Sequence, residues 1–396
     1  MKYPLTLLLC FALFGVMMAQ EGIVFKDLSW NETLNKAREE GTPVFVDCYT
    51  TWCGPCKWMA ANMFTRPEIG EFYNQNFICV QFDMEKGDGL EIAKEYQVRG
   101  YPTLLYLDPS GELLNIQLGA PQDPQPYIEM AKMALDPKRN MQYLQANKDA
   151  NYSDPAFMVD YFKAFGTAGR LEANELSRYL GQFSLEEWNS DENWQIIVSQ
   201  VEEVESPIFQ ELLKNEELFA QKHANADDYF QSVLYYDLRK KYFLGQRAND
   251  LSEYEAARAE LAQNYPKSDK VLFEMDLLVT EREEDWDRYC ELCYNNVKKY
   301  YWSDADKLND IAWTVFEQSD NEKNLEMALV WAERAQELAP NNHYILDTYA
   351  NLQFVNGQAE EALQTQKKAI KLAEKEGADT ESYQALITKI EEYLKS

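Results

Sequence analysis

Val44-Phe45-Val46-Asp47-Cys48-Tyr49 is an apolar run broken by a single carboxylate. A run this short, rich in β-branched and aromatic residues and preceded by Gly41-Thr42-Pro43, predicts a strand central in a sheet. Upstream, Ser29-Trp30-Asn31-Glu32 has the spacing of a capping box and predicts a helix running to about Glu40. Downstream, Cys53 opens a helix that continues to about Phe64, and Thr65-Arg66-Pro67-Glu68 caps a shorter one. The pattern then predicts a strand over Phe77–Phe82, a helix over Gly89–Tyr96, a hairpin of Thr103–Leu107 with Glu112–Leu118, and a closing helix over 124–135. Asp108-Pro109-Ser110-Gly111 is a good turn sequence for that hairpin. A β-α-β unit, a hairpin and a last helix make an α/β layered domain of about 115 residues.

Punctuation changes after Pro137. Residues 1–137 hold ten prolines and ten glycines, and residues 138–396 hold four and six. A turn-rich half is therefore followed by a helical half, with the expected boundary at Asp136-Pro137. Within the second half, Ala328, Ala332, Ala335 and Pro340 are followed thirty-four residues after Ala328 and Ala335 by Ala362 and Ala369, with Gly357-Gln358-Ala359 at a turn. That period and those small residues resemble two tetratricopeptide repeats over residues 309–375, in which alanine lets paired helices approach closely. The second repeat has Gln366 at a usually aromatic site and lacks the terminal proline. Residues 138–308 are helical and rich in Tyr, Phe and Trp without a registrable repeat. They are expected to stack on the pair and complete a solenoid, their aromatics forming core.

The chemistry centres on Trp52-Cys53-Gly54-Pro55-Cys56-Lys57, set between the first predicted strand and a helix start. Unpaired backbone N–H groups and partial positive charge at a helix N-terminus favour the Cys53 thiolate. A thiolate attacks disulfides, and Cys56, one turn on, is placed to resolve the mixed disulfide. A permanently closed structural disulfide, or half of a metal site, is the bland alternative; no second Cys-x-x-Cys lies nearby in sequence. Asp47 is a carboxylate among apolar neighbours, costly to bury without a role.

Three separated features over roughly residues 22–135 resemble the thioredoxin family: the active-site loop at 52–57, Asp47 six residues before Cys53, and Gly100-Tyr101-Pro102-Thr103. The resemblance implies a thioredoxin-like fold and a redox-active Cys53–Cys56 disulfide. It also implies that Asp47 is a buried carboxylate assisting proton transfer to and from Cys56, and that Pro102 is a cis-proline facing the disulfide. The Tyr101 backbone would then pair with an extended substrate, while Trp52 and Pro55 form an apolar rim around Gly54. The strand position that carries a lysine partner of the carboxylate in many thioredoxins is Gln81 here. The proline that kinks their active-site helix is missing, with Ala61 nearby. Met63-Phe64-Thr65-Arg66-Pro67-Glu68 is similar to the C-terminal domain of the transmembrane thiol–disulfide interchange reductases.

Composition narrows the setting. Lys2, the apolar stretch Leu5–Met18 and Ala19 resemble a secretory signal, and fourteen residues are short of the ~20 needed to span a bilayer. An exported, periplasmic protein, soluble after cleavage at residue 19, is expected; an extracellular location remains open. Removing residues 1–19 leaves Cys48, Cys53, Cys56, Cys79, Cys290 and Cys293, too few in this length for a disulfide scaffold. Cys48 and Cys79 fall in predicted strands and are expected to be core thiols. Cys290 and Cys293 share an apolar helix stripe with Trp286, Val297 and Tyr300, where Cβ atoms about 5–6 Å apart disfavour a bridge. A net charge of −29 argues against nucleic-acid binding, and only two histidines, His223 and His343, argue against a histidine metal site or a histidine-based hydrolase. No nucleotide, flavin or metal signature stands out, so no cofactor is expected.

The expected function is an exported thiol–disulfide oxidoreductase that reduces client-protein disulfides, draws electrons from a membrane donor and uses its helical repeats to hold a protein partner. A dithiol oxidase or isomerase uses the same residues at a different potential. An adaptor whose thioredoxin-like domain only docks partners is the reading of another class.

Overall fold

The computed structural model describes residues 22–396, so the expected export signal at 1–19 lies outside the described residues. The chain forms two compact units. One runs through Glu202 and includes Ser206–Leu212; the other comprises Glu203–Glu205 and Leu213–Ser396.

In the first unit the order is α1 (Trp30–Glu40), β1 (Val44–Tyr49), α2 (Gly54–Asn62), α3 (Pro67–Asn76), β2 (Ile78–Asp83), α4 (Asp88–Glu95), β3 (Thr103–Leu107), β4 (Leu113–Leu118) and α5 (Pro124–Leu135). The capping box at α1 is present, with Ser29 and Glu32 each satisfying the other's backbone N–H, and Gly41 closes the helix at φ 64°. Thr65 does not cap α3, because its hydroxyl donates back to the Ala61 carbonyl at 2.9 Å. Arg66 takes the cap position without a side-chain bond, leaving Pro67 to start the helix. The hairpin turn is held by Asp108, whose carboxylate accepts from the Ser110 and Glu112 backbone N–H groups.

The four strands lie in the order β2-β1-β3-β4, with β1 parallel to β2 and antiparallel to β3, which pairs antiparallel with β4. β1 is therefore central, which is why five of its six residues are buried. Alternation splits those residues between two layers. Phe45 packs its ring against Phe25, Phe64, Tyr73, Phe77 and Tyr106. Burying one such ring contributes roughly 1.5–3 kcal/mol. The tyrosines bring hydroxyls into this core, and each has a partner: Tyr73 to Tyr106 at 2.7 Å and to the Tyr127 carbonyl at 2.9 Å. Gly70 lets α3 cross the incoming chain; a Cβ there would stand 2.2 Å from the Gly22 carbonyl oxygen.

Asp136-Pro137 ends α5 but not the compact unit. Five further α-helices follow before Glu202: α6 (Met141–Asn147), α7 (Pro155–Thr167), α8 (Glu175–Leu180), α9 (Leu185–Trp188) and α10 (Asp191–Gln200). α6 and α7 pack against β4, and Arg139 grips Asp160 with two hydrogen bonds of 2.8 and 2.7 Å. β4 is an edge strand, and helices laid against an edge protect it from stray pairing. A change of composition marks a change of secondary structure; compactness depends on these long-range contacts instead.

The second unit is helical. Its last five helices, Ala305–Gln318, Glu322–Leu338, His343–Val355, Ala359–Glu376 and Glu381–Tyr393, each pack on the next. Ala328, Ala332, Ala335, Ala362 and Ala369 are fully buried, the close approach their spacing implied. The helix Trp286–Tyr300 shares one core with Ala305–Gln318 and Glu322–Leu338 through Tyr289, Cys290, Cys293 and Val297. No helix among the described residues is long and apolar enough to cross a membrane.

Because Ala335 is fully buried in the shared helical core, Ala335→Leu is expected to destabilise the second unit by about 1–3 kcal/mol. Val330→Leu, at a position 51% exposed, is expected to be near neutral; thermal unfolding of the two variants checks the contrast.

Candidate active site

The parallel pairing of β1 with β2 ends in register at Tyr49 and Asp83, so the loops that follow these strands lie together. In such sheets reactive groups collect beyond the carboxyl ends of the strands. Thr50–Trp52 leave β1, and α2 begins at once because Pro55 sits in its first turn, where a missing N–H costs nothing. Cys53 is the N-cap. Its sulfur accepts the Cys56 backbone N–H at 3.1 Å, and its own N–H donates to the Thr50 carbonyl at 3.2 Å. The same N–H stands ready to stabilise negative charge on that sulfur, reinforced by the dipole of the helix. Cys53 and Cys56 are joined as a disulfide with Cα atoms 5.3 Å apart.

The sulfurs sit under a rim. Cys53 and Cys56 are buried, while Gly54 and Pro55 are exposed and Trp52 is 65% exposed. The Tyr101–Pro102 peptide is cis, and the Tyr101 ring meets Trp52 edge-on with centroids 6.0 Å apart. The Thr103 hydroxyl donates to the Gly100 carbonyl at 2.8 Å and ties the ends of this loop together. Trp52, Cys53, Gly54, Pro55, Cys56, Tyr101 and Pro102 are thus gathered beyond one end of the sheet.

Asp47 occupies β1 one turn of alternation before the loop and is 4% exposed. One of its carboxylate oxygens has no hydrogen-bond partner among the described residues. Burial alone pushes its pKa up to about 7. Gln81 pairs with Asp47 in the strand register but is itself exposed, so it brings no cation to offset the burial. A carboxyl poised near neutrality exchanges protons in both directions, the property a proton carrier needs.

The other thiols among the described residues, Cys48, Cys79, Cys290 and Cys293, are reduced and buried. Burial raises Cys48, assisted by the Asp47 charge, and pushes Cys79 up to about 12 and Cys290 up to about 11. Cys293 is raised further, again chiefly by burial. Such thiols carry little thiolate at neutral pH and behave as small apolar residues. No group of His, Cys, Asp and Glu among the described residues forms a metal cluster. A surface cavity of about 520 Å³ between α7 and α10, lined by Lys163, Gln195 and Gln200, includes none of the sulfur site's residues.

Sequence reading missed Glu85, which accepts the Trp52 indole N–H at 3.0 Å and fixes the rim. The two are 33 residues apart in sequence, and only the in-register ending of β1 and β2 brings their loops together. Thr50 was missed as well: it is 1% exposed, its hydroxyl has no partner among the described residues, and its carbonyl accepts the Cys53 N–H.

A family model described as thioredoxin-like matches residues 25–109. The chain is 36% identical over 91 residues to the chloroplastic thioredoxin-like protein CITRX of Arabidopsis thaliana, a match covering 23% of this chain and 47% of that protein. It is 28% identical over 111 residues to a protein disulfide-isomerase of Schizosaccharomyces pombe, covering 28% and 30%. Among solved structures, a candidate disulphide-isomerase from Bacteroides thetaiotaomicron is 39% identical, with 30% of this chain and 96% of that one covered at a TM-score of 0.28. The chain spans about half the length of the curated plant relatives it matches. It carries a thioredoxin-like domain in its first unit.

The elevated Asp47 value has a consequence for stability. The unfolded chain releases this proton near the ordinary carboxylate pKa, the folded chain only near 7, so stability is full below about 4 and falls as pH rises toward 7. A shift of this size corresponds to a loss on the order of 4 kcal/mol at most. Asp47→Asn is therefore expected to raise the melting temperature above pH 7 and to leave it nearly unchanged at pH 4. The difference in melting temperature between variant and parent, followed from pH 4 to 8, checks this.

Proposed function

We propose that this chain, whose first unit carries a thioredoxin-like domain, is a thiol–disulfide oxidoreductase acting by dithiol–disulfide exchange at Cys53 and Cys56. The observation that carries the reading is the Cys53 sulfur at the start of α2, accepting the Cys56 N–H beneath a rim of Trp52, Pro55 and Tyr101. In the reducing direction, the Cys53 thiolate attacks one sulfur of a client disulfide and the other client sulfur leaves as a thiolate. Cys56 loses its proton and attacks the Cys53 sulfur, which frees the second client sulfur and closes the Cys53–Cys56 bond. Two electrons pass to the client, whose two sulfurs take up protons. Asp47 accepts the proton of Cys56 and returns one when the pair is next reduced. Wild-type turnover then requires a dithiol donor to reopen Cys53–Cys56.

The Gly-Pro pair between the cysteines favours a reductase over an oxidase, by its likeness to the reducing thioredoxins. The apolar N-terminal stretch favours an exported protein working in the periplasm, supplied with electrons through a membrane donor. The helical second unit fits a partner-holding role; Tyr344, Val355 and Tyr393 are solvent-exposed on two of its last helices, His343–Val355 and Glu381–Tyr393. No cofactor enters the exchange.

Cys56→Ser is expected to accumulate a mixed disulfide between Cys53 and its client, since attack proceeds and resolution cannot. Cys53→Ser is expected to trap nothing and to reduce an insulin-type disulfide substrate no faster than dithiol alone. Non-reducing electrophoresis with mass mapping of the adduct checks both; an active Cys53→Ser variant overturns the reading in favour of a docking platform.

A further inference from the structure

The first unit joins a helical extension to the loop that carries Tyr101 and Pro102. At the end of α7, Gly169 stands against Leu118, a Cβ there falling 3.1 Å from the leucine methyl. One residue after Leu118, the Gly119 N–H donates to the Pro102 carbonyl at 2.9 Å. Arg170 then reaches back across 74 residues to donate to the Tyr96 carbonyl at 2.8 Å. This docks the connection after α7 beside the segment that leads into Tyr101-Pro102.

Arg99 lies on that segment, two residues before Tyr101, hence within about 7 Å of its Cα. The Arg170 guanidinium is hydrogen-bonded to Tyr96, three residues before Arg99, and burial and then the positive charge of Arg99 hold it below its ordinary pKa. Neither has an ion pair among the described residues, whereas Arg66, Arg139 and Arg178 of the same unit each hold a carboxylate. In a chain of net charge −29 these two arginines stand at one short stretch without a carboxylate partner among the described residues; Arg38 of the same unit also has none and hydrogen-bonds Asn35 instead. Like charges brought together raise the free energy of the empty site, and an anion placed between them relieves it. Glu85, at the Trp52 ring, supplies the opposite sign to another part of the rim, so the surface is polarised.

We propose that Arg99 and Arg170 together hold an acidic side chain of the client polypeptide, so that clients with Glu or Asp on one flank of the attacked cysteine are preferred. This rests on the oxidoreductase reading and supplies its substrate class. The extension after Pro137 thereby takes part in client selection, because one of the two arginines belongs to it.

The test uses the reduced full chain and synthetic peptides, each with one cysteine held as a mixed disulfide with thionitrobenzoate. The Cys53 thiolate attacks the peptide sulfur and expels yellow thionitrobenzoate. Cys56 then releases the peptide thiol and closes Cys53–Cys56, so one dithiol is consumed per peptide reduced. Six peptides carry Glu, Gln or Lys at two positions before or after the cysteine. On one flank the rate is expected to follow Glu > Gln > Lys, with Glu about fivefold faster than Gln at low salt and the order fading at high salt. Arg99→Gln, at an exposed position, and Arg99→Gln with Arg170→Gln should abolish the order while leaving the Gln peptide's rate unchanged. Arg170→Lys, which keeps the charge, should retain it. Equal rates for Glu and Lys peptides on both flanks, or a preference that survives the double substitution, overturns the inference with the oxidoreductase reading intact. No thionitrobenzoate release from any peptide overturns both.

Discussion

One backbone N–H, that of Cys56, donates to the sulfur of Cys53 at 3.1 Å, and the site is organised by that bond. It requires Cys53 to be an N-cap, which requires a helix to begin immediately after the central strand. The strand in turn must end flush with its parallel neighbour for the sulfur to stand clear of the sheet. β1 meets these conditions because it is buried between β2 and β3 and therefore rigid, while Pro55 starts α2 without wasting a donor. A nucleophile prepared in this way needs neither metal nor histidine, consistent with a chain holding only two histidines far apart in sequence.

The same strand carries the opposite kind of constraint. Asp47 is held in the core without a cation, and the fold bears the cost of that burial so that a carboxyl can titrate near neutrality. Strained electrostatics beside a site built on regular elements is the usual distribution of labour in enzymes: packing supplies rigidity, and one unfavourable group supplies reactivity. The Phe45 cluster and the partnered tyrosines on the same face of β1 provide the compensating stability. The four other thiols among the described residues show the contrast, since burial without a helix N-terminus leaves them with little thiolate.

Much of the first unit was legible because its signals are local. Ser29 with Glu32, Gly41, Pro67 and the Asp108 turn each act within a few residues, and all the predicted elements through Leu135 are present with ends shifted by a residue or two. Asp47 was legible from its apolar neighbours, and Pro102 from its resemblance to a known loop. What escaped is long-range. Glu85 reaches Trp52 from 33 residues away and Arg170 reaches Tyr96 from 74, through strand pairing and helix docking that no short window encodes. The extent of the compact unit escaped for the same reason: Pro137 marks a change of secondary structure, whereas α6 and α7 fold back onto β4. In the helical unit, alanine spacing gave the close helix contacts, and the shared core through Cys290 and Cys293 followed from their stripe.

The central claim is that Cys53 and Cys56 form a reversible two-electron couple of reducing character. Its direct test is the reduction potential of that couple, measured by dithiothreitol or glutathione titration with Cys290 and Cys293 replaced by alanine. The account predicts a single two-electron transition near that of thioredoxin, about −270 mV. A value near about −120 mV would make the protein a disulfide donor instead, and the absence of any two-electron transition would contradict the account outright.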